Sequence, residues 1–271
     1  MIGAIIGDIV GSVYELTSIK TKNFQPLFHA DADFTDDSVM SLAVCHALLL
    51  RERGYPAAPL DELVVQEMQN FGRLYPDCGY GGLFAKWINS DNPRPYNNYG
   101  NGAAMRVSGV AHVAQSLEEV RELAHTVTAV THNHPEGLKG AEATAVACYL
   151  ALHGSSKEDI RDHLRRHYYP LDRTLEDIRP SYRFCASCQD SVPEALECFL
   201  ESTSFEDCLR NAVSLGGDAD TQGAIAGAVA ECYYGVPAAL RAQAESRLDD
   251  FLLTFLHEFE DTFGIPTPCQ R

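Results

Sequence analysis

The sequence predicts an all-α fold, organised as one compact multi-helix domain over residues 1–271. Three observations lead there. No stretch alternates β-branched and polar residues between turn signals, the pattern a half-buried strand leaves. Apolar residues recur instead at spacings of three and four, the period of one helix face. The segments carrying that period follow one another with short connections, and no linker-like stretch divides the chain. A hydrophobic content of 45% in 271 residues supplies a large core, and one domain of that length is ordinary.

The first element, over residues 2–15, sets Ile2, Ile5, Ile6, Ile9, Val10 and Val13 at helical spacing. Gly3, Gly7 and Gly11 recur on one stripe of it. Glycine weakens a helix, so a repeated stripe predicts another helix packed close against it. The pattern is GxxxGxxxG and not the dinucleotide-binding GxGxxG, and no strand precedes it. Asp8 and Glu15 project from one side, two turns apart; Asp8 is expected to be a solvated acid.

Residues 20–33 read as loop. Thr35-Asp36-Asp37-Ser38 opens a helix to about Arg51 whose apolar residues cover most of its circumference, so it is expected deep in the core. Residues 61–75 form another helix, residues 77–82 a glycine-rich loop, and residues 90–101 a further loop. The run from Gly100 to Arg106 leads into a helix ending near Ala114. Ser116-Leu-Glu-Glu119 is a capping box for a helix to about Thr131. Pro135 suits the first turn of the next helix, to His153. Ser156 caps a short basic helix to about His167. Residues 171–189 read as an irregular surface excursion, and Ser191-Val-Pro-Glu194 as a second capping box. Residues 204–214 form a helix, residues 237–261 a long amphipathic one, and the tail is proline-rich.

A net charge of −17 argues against general nucleic-acid binding or attachment to a membrane surface. No apolar run approaches the roughly 18 residues of a membrane helix, and the N-terminal segment lacks the basic flank of a signal peptide. The nine cysteines are scattered. Cys45, Cys148, Cys198, Cys208 and Cys232 fall inside helical patterns as small buried hydrophobes do. That usage fits a reducing, cytoplasmic setting. Cys185 and Cys188 form a lone CxxC without the second pair a zinc site needs.

The chemistry concentrates at Leu215-Gly-Gly-Asp-Ala-Asp-Thr-Gln-Gly223 and at Thr35-Asp-Asp37. Capping explains one acid at a helix start, not a run of oxygen side chains ahead of a buried helix. Thr35, Asp36, Asp37, Asp218, Asp220 and Thr221 all offer oxygen, which hard cations such as Mg²⁺ and Mn²⁺ prefer and zinc does not. Four carboxylates brought together repel one another unless cations intervene. We therefore expect the two helix starts to meet around a dinuclear metal centre. An EF-hand starting at Asp218 would need Glu at its twelfth place, where Val229 stands. A haloacid-type phosphatase would need a spacer between Asp220 and Thr221 and a preceding strand. His132-Asn-His134 lies between two helices, not at the end of a barrel strand, which disfavours a zinc reading.

Together these pieces resemble the ADP-ribosylglycohydrolase family. The matching runs are Gly3-Ala-Ile-Ile-Gly-Asp8 with Gly11 and Glu15; Phe34-Thr-Asp-Asp-Ser38; Gly79-Tyr-Gly-Gly82; Tyr99-Gly-Asn-Gly-Ala-Ala-Met-Arg106; Thr131-His132; and Gly216-Gly-Asp-Ala-Asp-Thr221. They span almost the whole chain in family order. The resemblance implies an all-helical fold with two Mg²⁺ ions (Mn²⁺ as an alternative), held by Thr35, Asp36, Asp37, Asp218, Asp220 and Thr221. It implies that Glu15 acts beside the metals, and that Asp36 or Asp218 are further candidates for taking a proton from water. It implies that Gly79, Tyr80, Gly81, Asn98, Tyr99, Gly100, Asn101, Gly102 and His132 line a cleft for ADP-ribose, with Tyr80 or Tyr99 stacked on adenine. Arg106 could pair with phosphate, but an internal ion pair with one of the many acids is the favoured expectation. The implied activity is release of ADP-ribose from a modified protein, nucleobase or small molecule. A non-catalytic member of the same fold and a metal-dependent phosphatase are the alternative readings.

Overall fold

Gly3, Gly7 and Gly11 do face another helix in the computed structural model, which describes residues 1–54 and 56–265. Helix α1 (Ile2–Ser12) runs antiparallel to α13 (Ala219–Tyr234) with backbone touching backbone. A Cβ built at Gly3, Gly7 or Gly11 would lie 2.4, 1.9 and 2.3 Å from the carbonyl oxygens of Gly227, Gly223 and Ala219. Gly223 and Gly227 present the reciprocal stripe: a Cβ at either would lie 2.3 Å from the carbonyl oxygen of Gly7 or Gly3. Every residue of α1 from Ile2 to Gly11 is buried, as is α13 from Ala219 to Cys232. Full burial of each Ile or Val of α1 contributes about 1.5–3 kcal/mol.

Around this pair stand α2 (Asp36–Arg53), α8 (Pro135–Leu152), α11 (Cys188–Leu200) and α12 (Phe205–Leu215). An outer layer adds α3 (Leu60–Leu74) and α15 (Asp250–Phe263) on α2, α7 (Leu117–Ala129) and α9 (Lys157–His167) on α8, and α14 (Ala238–Glu245) on α1. The short helices α4 (Gly82–Ile88), α5 (Gly102–Met105), α6 (Val110–Val113) and α10 (Leu175–Ile178) lie in the connections. Among the described residues there is no strand, only one antiparallel bridge between Gly100 and Ser187. No described helix is long and apolar enough to cross a membrane.

Several element boundaries differ from expectation. The first helix ends at Ser12, leaving Glu15 in the turn beyond it. The helix expected from Gly100 to Ala114 is two short ones, because Arg106 leaves helical geometry as it turns into the interior. Ser191 is not a cap: α11 begins at Cys188, and the Ser191 hydroxyl donates to the Ser187 carbonyl at 2.7 Å. The long helix from Pro237 to Asp261 breaks after Glu245, and Asp249 restarts it by accepting from the Leu252 backbone N–H at 2.9 Å. The proline-rich tail falls at residues 266–271, outside those described.

Candidate active site

Three separate segments supply the acids on the floor of one cleft of about 640 Å³. The Thr35–Asp37 run opens α2, with Thr35 as N-cap and its Oγ1 accepting from the Asp37 N–H at 3.3 Å. Asp218 and Asp220 open α13. The two glycines before them are needed there: Gly216 has φ +62°, and a Cβ at Gly217 would come 2.4 Å from the Tyr182 ring. Glu15 approaches from the end of α1. The carboxylates of Glu15, Asp218 and Asp220 each place an oxygen within 4.8 Å of the others, and so do those of Asp8, Asp37 and Asp220. Thr221 Oγ1 donates to Asp37 Oδ2 at 3.1 Å, joining the two helix starts.

Asp8 is where sequence reasoning missed a site residue. It is fully buried, not solvated. Its Oδ1 accepts from Thr35 Oγ1 at 2.7 Å, and its Oδ2 accepts from the Thr35 and Ser38 N–H groups at 2.9 and 3.0 Å and from Ser38 Oγ at 2.5 Å. A carboxylate from α1 thus caps α2, where unpaired N–H groups and the helix dipole favour negative charge. The legible signals were an acid inside an otherwise apolar helix and its place in the run Gly3–Asp8.

Burial pushes these carboxyls up, and neighbouring charges add to it at Glu15, Asp36, Asp37 and Asp220. Asp8 rises to about 6, although bonds from Ser38 and Thr35 hold it down. Asp36 rises to about 7, through burial and then the charges of Asp8 and Asp218. Asp37 and Asp220 rise well above the ordinary carboxylate range, through burial and then Asp220 and Asp218 respectively. Glu15 also rises, through burial and then Asp218. Asp37 Oδ1 is buried without any hydrogen-bond partner. An oxygen-only donor set, mutual repulsion and an orphaned buried acceptor together fit hard divalent cations.

The walls come from three loops. Gly79 and Gly81 line one side, where the Asp36 N–H donates to the Cys78 carbonyl at 2.8 Å. Tyr80 is not among the residues that line the cleft: its ring packs 5.7 Å from that of Phe84, and its hydroxyl is buried without a hydrogen-bond partner. Asn98, Tyr99, Gly100, Asn101 and Gly102 form the second wall with His132 behind them. Asn101 Nδ2 donates to Asp218 Oδ2 at 2.8 Å, tying this wall to the floor. The third wall is Phe184–Ser187, from the segment expected to be a surface excursion. It is pinned to the second wall by Asn101 N–H donating to the Ala186 carbonyl at 2.8 Å and Cys188 N–H to the Tyr99 carbonyl at 2.9 Å. Leu171, Leu175, Ile178 and Tyr182 of that segment are buried, so it is anchored rather than loose.

Arg106 overturns the expectation of an internal ion pair. It is buried at 1% exposure, and its Nη2 donates to Thr131 Oγ1 at 2.5 Å and to His132 Nδ1 at 3.1 Å, with no carboxylate partner among the described residues. His134 is a helix cap, its Nδ1 accepting from the Glu136 N–H at 3.1 Å. Cys185 and Cys188 are free thiols with Cys188 buried.

A sequence model of the ADP-ribosylglycohydrolase family matches residues 1–262. The chain is 29% identical to human ADP-ribosylhydrolase ARH3, over 86% of this chain and 84% of that protein. It is 28% identical to the bovine ADP-ribosylhydrolase ARH3, over 86% and 83%. It is 26% identical to the ADP-ribosylarginine hydrolase Tri1 of Pseudomonas putida, over 87% and 70%. A solved structure described as an ADP-ribosylglycohydrolase-related protein complex superposes with a TM-score of 0.66 at 25% identity, covering 95% of this chain and 97% of that one.

Proposed function

Since the chain belongs to the ADP-ribosylglycohydrolase family and is a glycosyl-bond hydrolase, we propose that it is a magnesium-dependent enzyme that releases ADP-ribose by hydrolysing an ADP-ribosyl bond. The observation that carries this reading is the convergence, in one cleft, of an acidic floor from three distant segments with a glycine-rich wall and His132. Thr35, Asp36, Asp37, Asp218, Asp220 and Thr221 would hold two Mg²⁺ ions, or Mn²⁺ in their place. Bound there, such ions supply Lewis acidity toward ribose oxygens and lower the pKa of water. Among the chain's own groups, Asn101 orients Asp218 and Asp8 fixes the Thr35 turn. To Glu15, whose carboxylate lies within 4.8 Å of those of Asp218 and Asp220, we assign the role of taking a proton from the attacking water. Asp36 and Asp218 are less suited, since a carboxylate holding a cation has its basicity spent on it.

The −17 net charge would repel a diphosphate without those cations and the buried guanidinium of Arg106. On this reading the diphosphate would rest on the wall from Asn98 to Gly102, beside which Tyr99 and Phe184 are exposed aromatic rings. One relative is named for ADP-ribosylarginine; the ADP-ribosyl half of the substrate is what the motifs recognise. The leaving group meets the Gly79–Gly81 loop and the Phe184–Ser187 segment.

The test is turnover of a panel of ADP-ribosylated protein, nucleobase and small-molecule substrates in Mg²⁺ and in EDTA. ADP-ribose should appear in Mg²⁺ only. Binding of ADP-ribose without release from any linkage, or turnover of phosphomonoesters alone, would overturn the reading.

A further inference from the structure

His132 carries two donors on one ring nitrogen. Its Nδ1 lies 3.1 Å from Arg106 Nη2 and 2.8 Å from Thr131 Oγ1. A guanidinium can only donate. The Thr131 hydroxyl oxygen already accepts from the same Nη2 at 2.5 Å, so its own proton is free to point at Nδ1. The guanidinium therefore presents hydrogen to Nδ1, the hydroxyl can do the same, and Nδ1 is the accepting nitrogen. A proton on Nδ1 would face two others, so the neutral ring keeps its proton on Nε2. That nitrogen points at backbone stripped of side chains: a Cβ at Gly100 or Gly102 would stand 3.6 and 3.7 Å from it.

We propose that Arg106 and Thr131 are positioning residues that lock His132 as the neutral Nε2–H tautomer, so that it donates a hydrogen bond into the cleft to a phosphate oxygen of the ligand. The proposal rests on the ADP-ribosyl reading of this site. His132 is 4% exposed, and its neighbours cannot protonate it. Burial and then the Arg106 charge hold it well below the ordinary histidine range. Tyr96, with its ring centroid 6.2 Å away, is itself pushed up by burial and stays neutral, as does Cys188, raised to about 12. No carboxylate hydrogen-bonds to the ring among the described residues. The outcome is a division of labour: His132 supplies direction without charge, and Arg106, held behind it over the Phe84 ring at 5.6 Å, supplies positive potential. Binding through such a donor does not change across the pH range in which free histidine titrates.

The direct test is long-range ¹H–¹⁵N NMR on histidine-labelled protein. His132 should show the neutral Nε2–H pattern from about pH 5.5 to about pH 8. An Nδ1–H pattern, or titration near the ordinary value, overturns the proposal whatever the variants do. Calorimetry with ADP-ribose adds a second readout. His132→Gln, whose amide keeps a donor near the Nε2 position, should bind within about threefold of the parent, and His132→Leu should lose about tenfold. Arg106→Lys, keeping a cationic donor, should preserve the tautomer. Thr131→Val combined with Arg106→Met should let His132 titrate and make ADP-ribose affinity pH-dependent, with KM moving and kcat not. If that pair fails to fold, the parent spectrum still decides. Absence of ADP-ribose binding to the parent defeats the functional reading while leaving the tautomer measurable, so the two failures are distinguishable.

Discussion

Thr221 Oγ1 donates to Asp37 Oδ2 at 3.1 Å, across 184 residues of chain. The bond exists because two other relationships hold. The glycine stripes of α1 and α13 bring those helices together, which sets where Thr221 stands. Asp8, carried on α1, grips Thr35 and Ser38 and so sets where Asp37 stands. One buried helix therefore locates both halves of the acidic floor.

Thr221→Val keeps the shape of the side chain and removes the hydroxyl. We expect Mg²⁺ to be needed at about tenfold higher concentration, the equivalent of one buried hydrogen bond and one ligand oxygen weakened. The Mg²⁺ dependence of turnover measures it. An unchanged activation curve would show that the bond holds nothing the reaction uses.

The acidic floor also predicts an unusual pH response in EDTA. Asp8 and Asp36 move from 3.8 when unfolded to about 6 and about 7 when folded. Between those values the folded state binds more protons than the unfolded one, so stability falls as pH rises. Acidifying from about pH 7 to about pH 5 should raise unfolding stability by on the order of 2 kcal/mol, discounting for mutual coupling. In saturating Mg²⁺ the slope should reverse, because cations need the deprotonated acids. Urea midpoints at the two pH values, with EDTA and with Mg²⁺, check the sign. A midpoint that drops on acidification in EDTA contradicts the origin assigned to the shifts.

The helical fold and the floor of the site were legible because both leave local periodic marks. Glycine every fourth residue marks a close helix contact, and its partner stripe at Gly223 and Gly227 has the same spacing. What was not legible depends on distant partners. Asp8 looked like a solvated acid because the groups that need it, Thr35 and Ser38, lie on another element. Tyr80 was expected in the cleft, yet its ring packs against Phe84, four residues on. The amphipathic pattern from Pro237 to Asp261 runs straight through a helix break, since both halves bury the same face. Residues 184–188 join the site mainly through backbone bonds to Tyr99 and Asn101, which no side-chain pattern records.

Gly7→Ala tests the helix contact. The new methyl would meet the Gly223 carbonyl oxygen at 1.9 Å, and backbone cannot rotate away as a side chain can. We expect destabilisation of at least about 3 kcal/mol, or failure to fold. Gly82→Ala is the control. A Cβ there meets nothing within 4 Å and sits at the first position of α4, so its midpoint should stay within about 0.5 kcal/mol of the parent. Equal midpoints for the two variants would remove the stripe as the element that sets the site.

Glu15→Gln separates proton transfer from metal holding. Glu15 lies in the turn after α1, half-buried, with a carboxylate oxygen within 4.8 Å of those of Asp218 and Asp220. Gln fills the same space and removes the base. We expect kcat to fall by about 10²- to 10⁴-fold, with KM and the Mg²⁺ requirement within about threefold of the parent. Asp218→Asn would not discriminate, because it disturbs the bond from Asn101 and the cation ligand at once. Rapid-quench turnover at saturating Mg²⁺ measures the chemical step. A loss repaired by more Mg²⁺ would make Glu15 a cation ligand. A kcat that does not move would pass the base role to Asp36 or Asp218.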